Sequence, residues 1–79
     1  MNQYAVANAL MSLFHNESPC RLAEAMFPGR HPGYLNEWVE RFTRGAAYAT
    51  GCMDEDTFRR LVDMAIDKYG QAASERFPD

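Results

Sequence analysis

The sequence predicts a single small all-helical domain, a compact bundle of about four helices without a sheet. Three observations lead to this class: apolar residues recur at helical spacing, capping residues stand before the helical segments, and no stretch alternates with period two over strand length. The chain has 79 residues, enough for one domain. We expect residues 1–70 to form this domain and residues 71–79 to be a loose tail.

The first helix is predicted over residues 3–15, with Asn2 as its N-cap. Its apolar side chains spread around most of the circumference, and no residue before Glu17 carries a formal charge. These side chains are Tyr4, Val6, Ala7, Leu10, Met11, Leu13 and Phe14. A helix of this kind must be covered on more than one side, either by the other helices or by a second copy of the chain. A symmetric homodimer is therefore one expected arrangement.

A second, short helix opens with Ser18 as N-cap and Pro19 at the first helical position, where a missing N–H costs nothing. Pro28 and Gly29 end it, and residues 28–33 form the one clearly irregular loop.

A third helix is predicted to begin at Pro32 and to continue to about Thr50, with Gly51 as its stop. Its weak point is Gly45, because glycine in a helix interior costs about 1 kcal/mol relative to alanine. Two shorter helices separated at Gly45 are the main alternative.

The fourth helix is predicted from a cap at Asp54 to a stop at Gly70. Glu55 and Asp56 suit the positive end of its dipole, and Lys68 suits the negative end.

Most arginines have an acidic residue four positions before them, which is the favourable order for ion pairs on a helix. The five predicted pairs are Glu17 with Arg21, Glu37 with Arg41, Glu40 with Arg44, Glu55 with Arg59, and Asp56 with Arg60. Arg30 has no such partner and lies beside His31 in the irregular loop.

Metal binding and catalysis are not predicted. The possible zinc ligands His15, Cys20, His31 and Cys52 lack the close pairs of structural zinc sites. No spacing of Ser, Cys and His residues selects a nucleophile with its base. We therefore expect no cofactor and no enzymatic activity.

The composition favours a cytoplasmic protein. The chain has only two cysteines, no basic segment before an apolar one at its start, and no apolar run of about 20 residues. No membrane association is expected.

Two functional classes fit the pattern. A short helix, a turn and a longer helix over residues 18–50 outline a helix-turn-helix regulator that binds DNA. Direct nucleic-acid binding is disfavoured by the net charge of −3 and by a third helix that begins with Tyr34, Leu35, Asn36 and Glu37, a poor set for contacting phosphates. A protein-binding module is favoured, because Trp, Tyr and Arg are preferred at protein interfaces. The candidate partner-binding residues are Arg30, His31, Tyr34, Trp38 and Tyr48, with Trp38 alternatively a core residue.

In general character the chain resembles the small anti-CRISPR inhibitors that phages and prophages encode. The likeness lies in a stand-alone acidic chain with a brief Met1-Asn2-Gln3 start, no targeting segment and no catalytic constellation. The resemblance implies stoichiometric inhibition of a CRISPR-Cas nucleoprotein complex in the bacterial cytosol, at its DNA-binding or nuclease-recruitment surface. Five acids would then take the place of DNA phosphates, or would simply form a solvated surface with dipole-matched helix ends. They are Asp54, Glu55, Asp56, Asp63 and Asp67.

Overall fold

The computed structural model describes residues 1–79 and contains five α-helices and no strand. The helices are α1 (Gln3–Asn16), α2 (Pro19–Met26), α3 (Pro32–Arg44), α4 (Ala46–Gly51) and α5 (Glu55–Arg76). The predicted all-α class is therefore confirmed. The molecule measures 41 × 20 × 19 Å along its principal axes, and its helices pack mainly as two pairs. A compact four-helix bundle is not confirmed.

Side-chain oxygens cap the starts of three helices, and each accepts a hydrogen bond from a backbone N–H three residues later. The pairs are Asn2 with Ala5 at 2.8 Å, Ser18 with Arg21 at 3.2 Å, and Asp54 with Thr57 at 2.7 Å. All three capping residues were predicted from the sequence, which is why the helix starts agree so closely.

The predicted third helix is interrupted at Gly45, so its expected continuation to Thr50 is wrong. Gly45 has φ +121° and ψ 165°, a backbone conformation that is essentially confined to glycine. The chain therefore ends α3 at Arg44 and starts again as α4 at Ala46. The alternative of two shorter helices is the observed one.

The expected stop at Gly70 and the loose tail over residues 71–79 are also wrong, because α5 continues to Arg76. Gly70 is buried, and a Cβ added to it would lie 3.1 Å from both the Ile66 Cγ2 and the Met1 Cε atoms. Ala73, one turn further along, is also buried. The glycine thus permits close packing inside a helix rather than ending one, and only residues 77–79 lie beyond α5.

The long helices α1 and α5 pack antiparallel, while α2 packs against α3 and also touches α5. At one end of the long pair, the Asn2 side chain donates to the Phe77 carbonyl at 2.9 Å. The buried residues are all apolar except for Gly70, and they form one core. These apolar residues are Ala5, Ala9, Leu13, Leu22, Ala23, Met26, Phe27, Trp38, Phe42, Ala49, Leu61, Ala65 and Ala73.

No helix combines the length and the apolar character that crossing a bilayer would require.

Candidate functional site

Three arginine side chains lie over aromatic rings along α3, its preceding loop and α4. The distances from guanidinium carbon to ring centroid are 5.1 Å for Arg30 and Tyr34, 4.8 Å for Arg41 and Trp38, and 5.1 Å for Arg44 and Tyr48. Trp38 and Arg41 are three residues apart within α3, which is a spacing that brings side chains together on a helical surface. Arg30 precedes α3, and Tyr48 lies in α4 beyond the break at Gly45, so the turns of the chain at the two ends of α3 bring these two pairs together. Such cation–π contacts hold a guanidinium in place at a partly solvated site. We call Arg30, Tyr34, Arg41, Arg44 and Tyr48 the arginine–aromatic surface.

Trp38 belongs to the core and not to the exposed surface. Its side chain is only 4% exposed and stacks on Phe27, with ring centroids 4.8 Å apart and planes 29° apart. The Arg41 guanidinium lies over the ring. The prediction that Trp38 contacts a partner is therefore wrong for this conformation, and the core alternative applies. Its Nε1 atom is buried without a hydrogen-bond partner.

The three arginines of the arginine–aromatic surface differ in how many of their N–H donors are used. Arg44 donates to Glu40 at 3.0 Å and to the Tyr48 hydroxyl at 3.3 Å. Arg30 and Arg41 make no hydrogen bond or ion pair through their side chains, although Glu37 was predicted to pair with Arg41. A guanidinium fixed by stacking keeps its in-plane donors available for a carboxylate or phosphate. Arg30 and Arg41 are thus the two groups most ready to bind an anion.

His31 and Tyr34 have different places in this region. The His31 Nδ1 atom accepts a hydrogen bond from the Gly33 N–H at 3.0 Å and caps the start of α3. Tyr34 is half-buried, with its ring edge-to-face against Phe27 at 5.2 Å. Tyr34 therefore provides the ring over which Arg30 lies, and His31, which is exposed to solvent, caps α3.

A shallow cavity of about 250 Å³ indents the arginine–aromatic surface. It is lined by Glu37, Glu40, Arg41, Arg44 and Tyr48. Tyr48 is 46% exposed, so its ring offers apolar area at the rim of a charged depression. This combination suits a protein segment that carries both an acidic and an apolar side chain.

Only two of the five predicted ion pairs form, Glu40 with Arg44 and Glu55 with Arg59. Glu17 instead meets Lys68, with Oε1 and Nζ 2.8 Å apart. The hydrogen bond from Lys68 lowers the pKa of Glu17, and the same bond raises the pKa of Lys68. For Glu17 and Arg60, a partner distant in the chain has thus replaced the local one, since Arg60 donates to the Met26 carbonyl.

The four residues considered as zinc ligands do not come together, and no group of three or more His, Cys, Asp or Glu side chains is placed to hold a metal ion. Cys20 and Cys52 are both exposed and unbonded to each other.

The helix-turn-helix outline is present as α2 and α3, with residues 27–31 between them. The exposed side chains of α3 include Glu37 and Glu40 as well as Arg44. A DNA-reading helix needs a net positive surface to displace counterions. The mixed charges on α3 offer no such excess.

A second feature is the outward face of α1, where Tyr4 is 64% exposed and Met11 is 67% exposed. The absence of charged residues from α1 was the sequence signal for this face.

The position of Arg41 over Trp38 was not predicted from the sequence. The three-residue spacing between them could have indicated this contact.

Comparison of the chain with protein families, with curated proteins and with solved structures finds no match.

Proposed function

We propose that the protein acts by binding another protein through the arginine–aromatic surface. The observation that carries this proposal is the pair of guanidiniums, Arg30 and Arg41, stacked on aromatic rings with their N–H donors uncommitted. A side chain already fixed by stacking loses less conformational freedom when it binds. Charge-assisted hydrogen bonds from a guanidinium to a carboxylate are short and often bidentate.

The charge pattern supports a protein partner over a nucleic acid. Glu37 and Glu40 alternate with Arg41 and Arg44 around the shallow cavity, and these carboxylates would repel a phosphate backbone. A protein segment can meet both signs at once and place an apolar side chain against Tyr48. We therefore infer a partner segment with carboxylates spaced to reach Arg30 and Arg41.

The resemblance to anti-CRISPR inhibitors supplies the class of partner. On that basis the protein is a phage-type stoichiometric inhibitor in the bacterial cytosol, and its target is a CRISPR-Cas effector complex. This mode of action needs occupancy of a surface and no chemical step. The acidic residues Asp54, Glu55 and Asp56 at the start of α5 would lie outside the contact, where they limit non-specific association with nucleic acid.

The test is capture of the partner from a lysate of a bacterium that carries a CRISPR-Cas system, with and without nuclease, read by mass spectrometry. Wild type is compared with the double variant Arg30→Glu and Arg41→Glu. The matched control is Arg59→Glu, which reverses an exposed arginine on α5. Circular dichroism verifies that each variant is folded.

We expect nuclease-resistant, stoichiometric recovery of the complex by wild type and by Arg59→Glu, and a loss of at least about tenfold for the double variant, or roughly 1.4 kcal/mol. Equal capture by all three proteins would show that the contact lies elsewhere. Recovery that disappears on nuclease treatment would instead indicate a nucleic-acid regulator. Trp38 is unsuitable for this test, because its truncation would empty the core.

A further inference from the structure

The outward face of α1 exposes large apolar side chains and no charged one. Tyr4 and Met11 stand on it with about two-thirds of each side chain exposed, and Ala7 lies between them. No Asp, Glu, Lys or Arg occurs between residues 1 and 16. By contrast, each of the helices α2, α3 and α5 carries charged side chains on its exposed side.

The chemistry of this face fits a second copy of the chain better than a membrane. Helices that lie on a bilayer surface carry Lys and Arg beside their apolar side chains, and α1 carries none. Two copies with a net charge of −3 repel each other over most of their surfaces. When two copies meet through α1, no charged side chains of this helix are brought together. This orientation therefore reduces the repulsion between the copies.

We propose that the protein forms a homodimer in which the α1 helices of two copies pack antiparallel about a twofold axis near Ala7. Tyr4 and Met11 are seven residues apart, which is about 10.5 Å along a helix and returns nearly to the same side. In this arrangement Tyr4 of one copy covers Met11 of the second copy, and the reverse contact is identical. The small Ala7 side chain at the centre lets the two helices approach closely, and thioether–aromatic contacts are favourable. The interface is closed, so it forms a dimer and no filament.

The size of the face sets the strength of the association. A 14-residue helix is about 21 Å long, and one face of it covers less than the roughly 800 Å² per partner of a standard stable interface. The dimer is therefore weak and reversible. It uses no residue of the arginine–aromatic surface, so it does not depend on the proposed function.

The test is sedimentation equilibrium of the full chain from about 10 µM to 1 mM, a range suited to a small interface. Three variants are compared with wild type: Tyr4→Lys, Met11→Glu and the control Gln71→Glu. The control adds the same negative charge as Met11→Glu at an exposed position on α5. An equimolar mixture of Tyr4→Lys with Met11→Glu is the decisive sample.

We expect wild type and Gln71→Glu to rise from 9.0 kDa towards twice that mass as concentration increases. Each α1 variant alone should remain monomeric, because its homodimer would contain two mismatched contacts. The mixture should associate again, because its heterodimer contains one native Tyr–Met contact and one new ion pair. A wild-type mass of 9.0 kDa throughout would overturn the dimer, and a mixture that stays monomeric would overturn the antiparallel register.

Discussion

The guanidinium of Arg60 donates a hydrogen bond to the backbone carbonyl of Met26, with Nη2 and O 2.9 Å apart. Met26 is the last residue of α2, where helix carbonyls lack partners within the helix. A positive charge at this end also complements the helix dipole. Arg60 therefore caps α2 from α5 and joins the two helix pairs of the molecule.

Replacement of Arg60 by alanine should lower the free energy of unfolding by about 1 kcal/mol, since a hydrogen bond from a charged donor is lost at a partly exposed site. The control is Arg59→Ala, which removes only an exposed ion pair with Glu55. Exposed pairs of this kind contribute little, so about 0.5 kcal/mol or less is expected. Urea unfolding measures both values, and equal losses would contradict the capping role of Arg60.

Gly45, which precedes α4, and Gly51, the last residue of α4, should respond oppositely to replacement by alanine. Gly45→Ala should destabilise the protein by about 1–3 kcal/mol, because alanine is strained at φ +121°. Gly51→Ala should stabilise it by about 0.5 kcal/mol, since a Cβ there meets no atom within 4 Å and alanine favours the helix. Thermal unfolding of both variants tests this difference in sign, and a stable Gly45→Ala variant would argue for a continuous third helix.

Removal of residues 73–79 should lower the free energy of unfolding by about 2 kcal/mol. The deletion takes away the buried Ala73 side chain and the Phe77 carbonyl that Asn2 contacts. Removal of Pro78 and Asp79 alone should cost less than about 1 kcal/mol, because it breaks only exposed polar contacts. Denaturant unfolding of the two truncated chains distinguishes a packed helix end from a loose tail, for which neither deletion would matter.

The ion pair between Glu17 and Lys68 should make stability depend on pH. The hydrogen bond from Lys68 lowers the pKa of Glu17 below its ordinary value of 4.5. A carboxylate with a lowered folded-state pKa stabilises the fold above its unfolded value, and this contribution is lost as pH falls through the folded one. The pKa of Lys68 is raised from 10.5, so its contribution is lost only as pH rises through that higher value.

Glu17→Gln tests the acidic side of this dependence. The difference in Tm between wild type and the variant should be largest between about pH 6 and 8 and should shrink below about pH 4.5. Asp54 is the other acid with a lowered pKa, because the Thr57 side chain and backbone N–H donate hydrogen bonds to it. Since Asp54 remains in the variant, some acid sensitivity should persist. A constant Tm difference down to about pH 3 would show that the pair adds nothing.

Local chemistry explains why much of the fold was predictable. The caps at Asn2, Ser18 and Asp54 each act on a backbone N–H three residues away, so the sequence contains all that is needed to place them. The end of α5 was not predictable in this way. Gly70 usually signals a stop, but here Met1 and Ile66 pack against it, and Met1 is 69 residues away in the chain.

The same distinction applies to the candidate site. Residue type and spacing in the sequence were enough to select Tyr34, Tyr48 and the unpaired Arg30 as candidates for the site. Trp38 could equally have been an exposed anchor or a core residue, because an apolar stripe on a helix does not show which of its residues other parts of the chain cover. Its burial depends on Phe27, which the loop between α2 and α3 brings against it.

The stacking of Trp38 on Phe27 also gives the molecule a built-in optical reporter. Trp38 is the only tryptophan, and it lies where α2 meets α3, whereas α1 and α5 contribute more than half of the helical residues. Indole fluorescence therefore follows one helix pair, and far-ultraviolet circular dichroism follows mainly the other. If the two signals have the same midpoint, the small contact between α2 and α5 is enough to make the chain one cooperative unit.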